Sequence, residues 1–232
     1  MENIIIVLIC IVFIFLIKFI LGIKINDVKK IKEIGYNKEL AKITDKLPPN
    51  KQICKEILKK LENENVKIEE NKDSEASLYI AITDKISIAN IENTHTRIQT
   101  IAHECLHSIQ ERKILMFNFI FSNIYIIFYI SICIFGILKL LPYKMMFLNI
   151  FLLFSLVYYT VRVYLENDAM IKARFLAKEY MEEKKISSEE EIRKIVSGFD
   201  KINNVGIKCV NYHFFLEIMV KVLIFSIICF IR

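Results

Sequence analysis

The 232-residue chain has no CxxC pair, no internal repeat, no low-complexity linker and only four histidines. Without a CxxC pair there is no cysteine-knuckle metal site. The six cysteines stand singly, and Cys10, Cys133 and Cys229 fall inside the most apolar stretches. They read as small buried hydrophobes in a reducing compartment, not as a disulfide framework. Arginine-rich patches interleaved with aromatics are also missing, so a formal net charge of +6 does not point to nucleic acid.

Apolar residues are abundant. They make up 54% of the chain, above the roughly 45–50% of a soluble domain. Four runs, near 3–22, 115–138, 145–164 and 213–231, approach the roughly 20 helical residues that cross a bilayer. The first has neither a basic leading region nor a small-residue cleavage site and reads as a retained anchor. Pro142, in the short turn between the second and third runs, predicts an antiparallel hairpin.

Lysine and arginine are unevenly spread, 17 of them in 23–113 and 10 in 162–212, against Lys139, Lys144 and Arg232 on the other side of the spans. The positive-inside rule puts both polar segments in the cytoplasm and both chain ends outside. Basic loops facing anionic lipid then account for the charge. The expected architecture is mainly α, with about four membrane spans and a small cytoplasmic α+β part. Residues 1–22 form an anchor, 23–113 the α+β segment, 114–165 a transmembrane hairpin, 166–212 a cytoplasmic helical segment and 213–232 the last span. Within 23–113 the spacing predicts a helix over 50–63 behind Pro48–Pro49. Short alternating runs around Val66–Ile68, Tyr79–Ile82 and Ile86–Ile91 predict a small sheet with a turn at Asp84–Lys85. Glu189–Ile195 reads as a surface helix.

Residues 98–113, IQTIAHECLHSIQERK, place Ile98, Ile101, Ala102, Cys105 and Ile109 on one helical face and His103 with His107 on another. Histidines at i and i+4 stack one turn apart, so both can reach one ion, with Glu104 beside them to activate a water. A catalytic zinc site needs a third protein ligand and an open position. The metzincin extension is absent, since 110 is Gln and 113 is Lys, and only His95 and His213 remain as other histidines. An acidic third ligand is therefore favoured, and Glu166, just past the third run, is the candidate. The hairpin brings the two ends to one membrane face. The motif helix is expected to run directly into the second span. Asp168 is assigned to accept a hydrogen bond from a ligand histidine. Tyr212, His213 and His95 are candidate donors to an oxyanion. The strand before the motif could pair with a peptide substrate.

The order of helix, short sheet, AHECLHSIQ at 102–110, hydrophobic hairpin and ENDA at 166–169 resembles the bacterial neutral zinc metallopeptidases of the YugP type over roughly the whole chain. The resemblance implies a membrane-bound Zn2+ peptidase with His103, His107 and Glu166 as ligands and Glu104 as base. It also implies a cytoplasm-facing site that acts on a peptide or membrane-protein substrate. Leu106, where that family has Gly, and Asn167, where it has an aromatic, depart from the pattern. Prenyl-protease-like and HtpX-like membrane enzymes share HExxH, but their second motif carries Asp four residues after the Glu, where this chain has Met170. A non-enzymatic zinc-binding membrane protein is the alternative of another class.

Overall fold

The computed structural model describes residues 2–71, 73–74 and 76–231. Met1 and Arg232, the ends of the first and last expected segments, lie outside them. The chain is mostly helical, 74%, with one small three-stranded sheet. In chain order the elements are α1 (Glu2–Ile20), α2 (Ile25–Gly35), α3 (Lys38–Thr44), α4 (Asn50–Lys60), β1 (Lys67–Glu70), β2 (Leu78–Ile80), β3 (Lys85–Ile88), α5 (Arg97–Ile109), α6 (Arg112–Ile137), α7 (Lys144–Lys184) and α8 (Glu189–Ser226). A π-helical turn, Ile227–Ile231, follows α8.

Three helices, α6, α7 and the helix from Glu189 to Cys229, are long and apolar enough to cross a membrane. The apolar stretch of α1, Ile5–Ile20, is shorter. Among the described residues three helices meet that length and composition.

Two of the expected boundaries are absent. No Pro or Gly interrupts 144–184, so the third apolar run and the polar segment after it form one 41-residue helix. Glu166 thus sits inside a helix and not at the start of a new one. Likewise the surface helix at 189–195 and the last apolar run merge in α8. Conversely, the motif helix does not run on into the next apolar helix. Gln110 is extended, at φ −63 and ψ 155, and ends α5 before α6 begins.

The chain divides into two compact units. One comprises residues 1–23, 117–164 and 208–232, the other 24–116 and 165–207. In the first, buried Tyr125 stacks on Phe151 and on Tyr158, with ring centroids 5.5 and 4.7 Å apart. Its hydroxyl lies 3.2 Å from Ser155 Oγ, so the buried polar atoms pair with each other. The Lys221 ammonium pairs with Glu217 at 2.5 Å and lies over the Tyr125 ring. Lys144 donates to the Cys229 carbonyl at 2.6 Å, satisfying an acceptor near the end of the last helix.

In the second unit, Ile98, Ile101, Ala102 and Cys105 are wholly buried on one face of α5. They join Ile53, Cys54, Ile57 and Leu58 of α4 in a core that also takes Ile86 and Ile88 of β3, and Ala173, Ala177 and Met181 of α7. Burying each large aliphatic side chain stabilises the fold by about 1.5–3 kcal/mol. Among these core residues, Cys105 Sγ lies 3.7 Å from Cys54 Sγ. The sheet has order β1-β3-β2, with β1 parallel and β2 antiparallel to β3, so β2 is an edge strand. Asn37 caps α3, its side-chain oxygen accepting from the Glu39 and Leu40 amides at 3.0 and 3.1 Å.

Candidate metal centre

The apolar face of α5 is fixed in the core, and this turns the His103/His107 face outward. The two Nε2 atoms stand 3.0 Å apart, with the rings edge to face. From α7, Glu166 Oε2 comes within 3.4 Å of His103 Nε2 and 3.6 Å of His107 Nε2. Two imidazoles and a carboxylate therefore present one donor atom each to a common point, all within 4.8 Å of one another. Around a tetrahedral ion with bonds of about 2.0–2.1 Å, neighbouring ligand atoms stand roughly 3.3 Å apart. The observed spacing fits three ligands of one such ion.

The ring orientation is set from outside this triad. His107 Nδ1 lies 2.8 Å from Gln110 Oε1. Gln110 Nε2 in turn donates to the Leu165 carbonyl at 2.8 Å and to Asp168 Oδ2 at 3.2 Å. Asp168 also pairs with Lys172 at 2.6 Å. Asp168 thus reaches the ligand histidine through Gln110 and not directly, because the amide stands between them. Sequence reasoning missed Gln110; its position three residues after His107, on the same side of the helix, was the available signal.

Glu104 is 6% exposed. Burial pushes its carboxyl above the usual range, and the neighbouring histidines only partly offset this. The backbone of Tyr79, on edge strand β2, hydrogen-bonds the same carboxylate. Nothing local in the sequence announces that contact. Burial also pushes Glu166 up, but hydrogen bonds from His103 and His107 outweigh it and hold the group well below the ordinary carboxylate range. Burial pushes His107 down, yet its hydrogen bond and charge interaction with Glu166 win and raise it.

His95 is wholly buried, with Nδ1 donating to the Gly35 carbonyl at 3.2 Å and the ring stacked parallel to Phe199. Its remaining nitrogen therefore carries a lone pair inside the core and cannot donate to an oxyanion. Tyr212 and His213 belong to the other unit. The Tyr212 hydroxyl donates to the Ile14 carbonyl at 3.5 Å, and the exposed His213 ring lies beside Phe214.

No family model, curated protein or solved structure matches this chain. The chemistry of the site therefore rests on its own geometry.

Proposed function

We propose that this chain is a zinc-dependent peptidase embedded in a membrane. The observation that carries the reading is the convergence of His103 Nε2, His107 Nε2 and Glu166 Oε2 beside the buried carboxyl of Glu104. Two histidines, one carboxylate and an open position form the donor set of a catalytic zinc site. When bound, zinc supplies Lewis acidity to a scissile carbonyl and to an attacking water. Glu104, its proton affinity raised by burial, takes the proton of that water and passes it to the leaving amine. Edge strand β2 is paired with β3 on one side only, and an extended peptide would add along its other side, next to the Tyr79 backbone that meets Glu104.

Finer features of the proposal are a fourth span at the chain's beginning, a cell-membrane location and a site facing the cytoplasm. These rest on the distribution of lysine and arginine. The resemblance to YugP-type peptidases supports the same reading from the motif residues.

The test is zinc content of the purified full chain, together with cleavage of a fluorogenic peptide library in detergent. The wild type should hold one zinc and cleave. His107→Ala and Glu166→Ala should lose the metal, and Glu104→Gln should keep it and lose cleavage. A metal-bound wild type that cleaves nothing, and a Glu104→Gln variant that matches it in every readout, would instead mark a non-enzymatic zinc protein.

A further inference from the structure

A ligand histidine is useful only in the tautomer that leaves the ligating nitrogen bare. Either tautomer is open to an isolated imidazole, so something in the fold must choose. The atoms around Gln110 make that choice. Two acceptors, the Leu165 carbonyl at 2.8 Å and Asp168 Oδ2 at 3.2 Å, face one end of its side-chain amide. Only the NH2 group can meet acceptors, so this end is Nε2. The other end is then Oε1, which can only accept, and it faces His107 Nδ1 at 2.8 Å. In the neutral ring Nδ1 must therefore carry the one hydrogen, and Nε2 is left with its lone pair toward His103 and Glu166.

The same two acceptors flank the third ligand, since Leu165 precedes Glu166 and Asp168 follows it by two residues on α7. Gln110 itself is the extended residue that ends α5. One amide thus bonds to the histidine of one helix and to the turn of another helix that carries the carboxylate. Lys172, paired with Asp168 Oδ1 at 2.6 Å, holds that carboxylate in place.

We propose that Gln110 is the positioning residue of the metal centre, fixing the tautomer of His107 and docking the Glu166 turn of α7 through Leu165 and Asp168. This rests on the reading of the triad as a zinc site. It explains why an amide stands here. A Glu at 110 would accept from His107 but could donate to neither partner, and its charge would oppose Asp168. A Leu would leave all three partners without their hydrogen bonds.

The experiment is zinc affinity of the full chain in detergent, measured by competition with a fluorescent chelator. The proteins compared are the wild type, Gln110→Leu, Gln110→Glu and the double variant that combines Gln110→Glu with Asp168→Asn. Thermal melts of the metal-free proteins monitor the fold. Losing a hydrogen bond that orients a ligand weakens metal binding by roughly 10–100-fold, and both single variants should fall in that range. The double variant should recover to within a few-fold of wild type, because the amide introduced by Asp168→Asn can donate to the new carboxylate while His107 still has an acceptor. In 15N-histidine spectra of the metal-free protein, Gln110→Leu should lose the tautomer protonated at Nδ1. Unchanged affinity in both single variants, or no recovery in the double variant, overturns the role of Gln110 while leaving the zinc site intact. A wild type that binds no zinc overturns the site and this role together.

Discussion

The Tyr180 hydroxyl donates to the Glu56 carboxylate at 2.6 Å and ties α7 to α4. Lys184 adds an ion pair to the same oxygen at 2.8 Å, and Gln52 donates to the other at 3.1 Å. Burial raises the Glu56 carboxyl, but these three partners together lower it below its ordinary value. A group with a depressed folded-state pKa contributes stability above its unfolded value, and that contribution is lost as pH falls through the folded value. Glu56→Gln should therefore cost about 1 kcal/mol near pH 7. The gap to wild type should close below the ordinary carboxylate range, as thermal melts at several pH values can check.

Arg97 should prove one of the least replaceable residues outside the metal centre. Its buried guanidinium donates to the carbonyls of Thr44, Leu47 and Pro48 at 2.6, 2.9 and 3.0 Å and to Asn50 Oδ1 at 2.8 Å. It thereby closes the turn between α3 and α4. Arg97→Leu strands these buried acceptors, and a loss of about 3 kcal/mol or more in chemical denaturation is expected. Arg97→Lys should recover less than half, since an ammonium cannot span four acceptors in a planar fork.

Gly198 of α8 allows His95 to sit where it does. A Cβ at this position would lie 2.9 Å from His95 Nε2 and 3.3 Å from Leu40 Cδ1. The ring cannot swing away, because Phe199 stacks on it and Gly35 accepts from it. Gly198→Ala should destabilise by about 1 kcal/mol, overpacking outweighing the gain in helix propensity. In a His95→Ala background the same change should become stabilising. Additive effects would refute the contact.

Zinc binding should release protons. Glu166 raises His107, so in the metal-free protein a proton competes for the nitrogen that the ion needs. Affinity should rise with pH until His107 is neutral, then level off. Calorimetry in two buffers of different ionisation enthalpy at pH 6 would count the protons. A count of zero, with affinity unchanged between pH 6 and 7.5, would contradict the Glu166–His107 coupling.

Much of the second unit was legible in the residues. The helix behind Pro48–Pro49, the three short strands and the two faces of the motif helix follow from local periodicity, and the structure has them, except that Ile109, expected on the apolar face, is 45% exposed at the end of α5. The merging of one apolar run with the polar segment after it, and of another with the polar segment before it, was missed, because a change in composition does not end a helix and nothing in 144–184 can break one. The opposite error came at Gln110, which ends α5 without glycine or proline. Its extended backbone goes with side-chain hydrogen bonds to distant residues, and such bonds leave no local trace.

By itself the sequence determined that His103 and His107 share one side of a helix, because 3.6 residues per turn stacks positions four apart whatever surrounds them. It also determined that Glu104 would sit next to them, and that long apolar helices would take up much of the chain. Only the tertiary structure decided that Glu166 meets both imidazoles, that Gln110 stands between His107 and Asp168, and that the edge strand reaches Glu104 through Tyr79. Those relations join residues far apart in the chain, and they depend on how α4, α5, α7 and the sheet pack around one buried core, which no local pattern encodes.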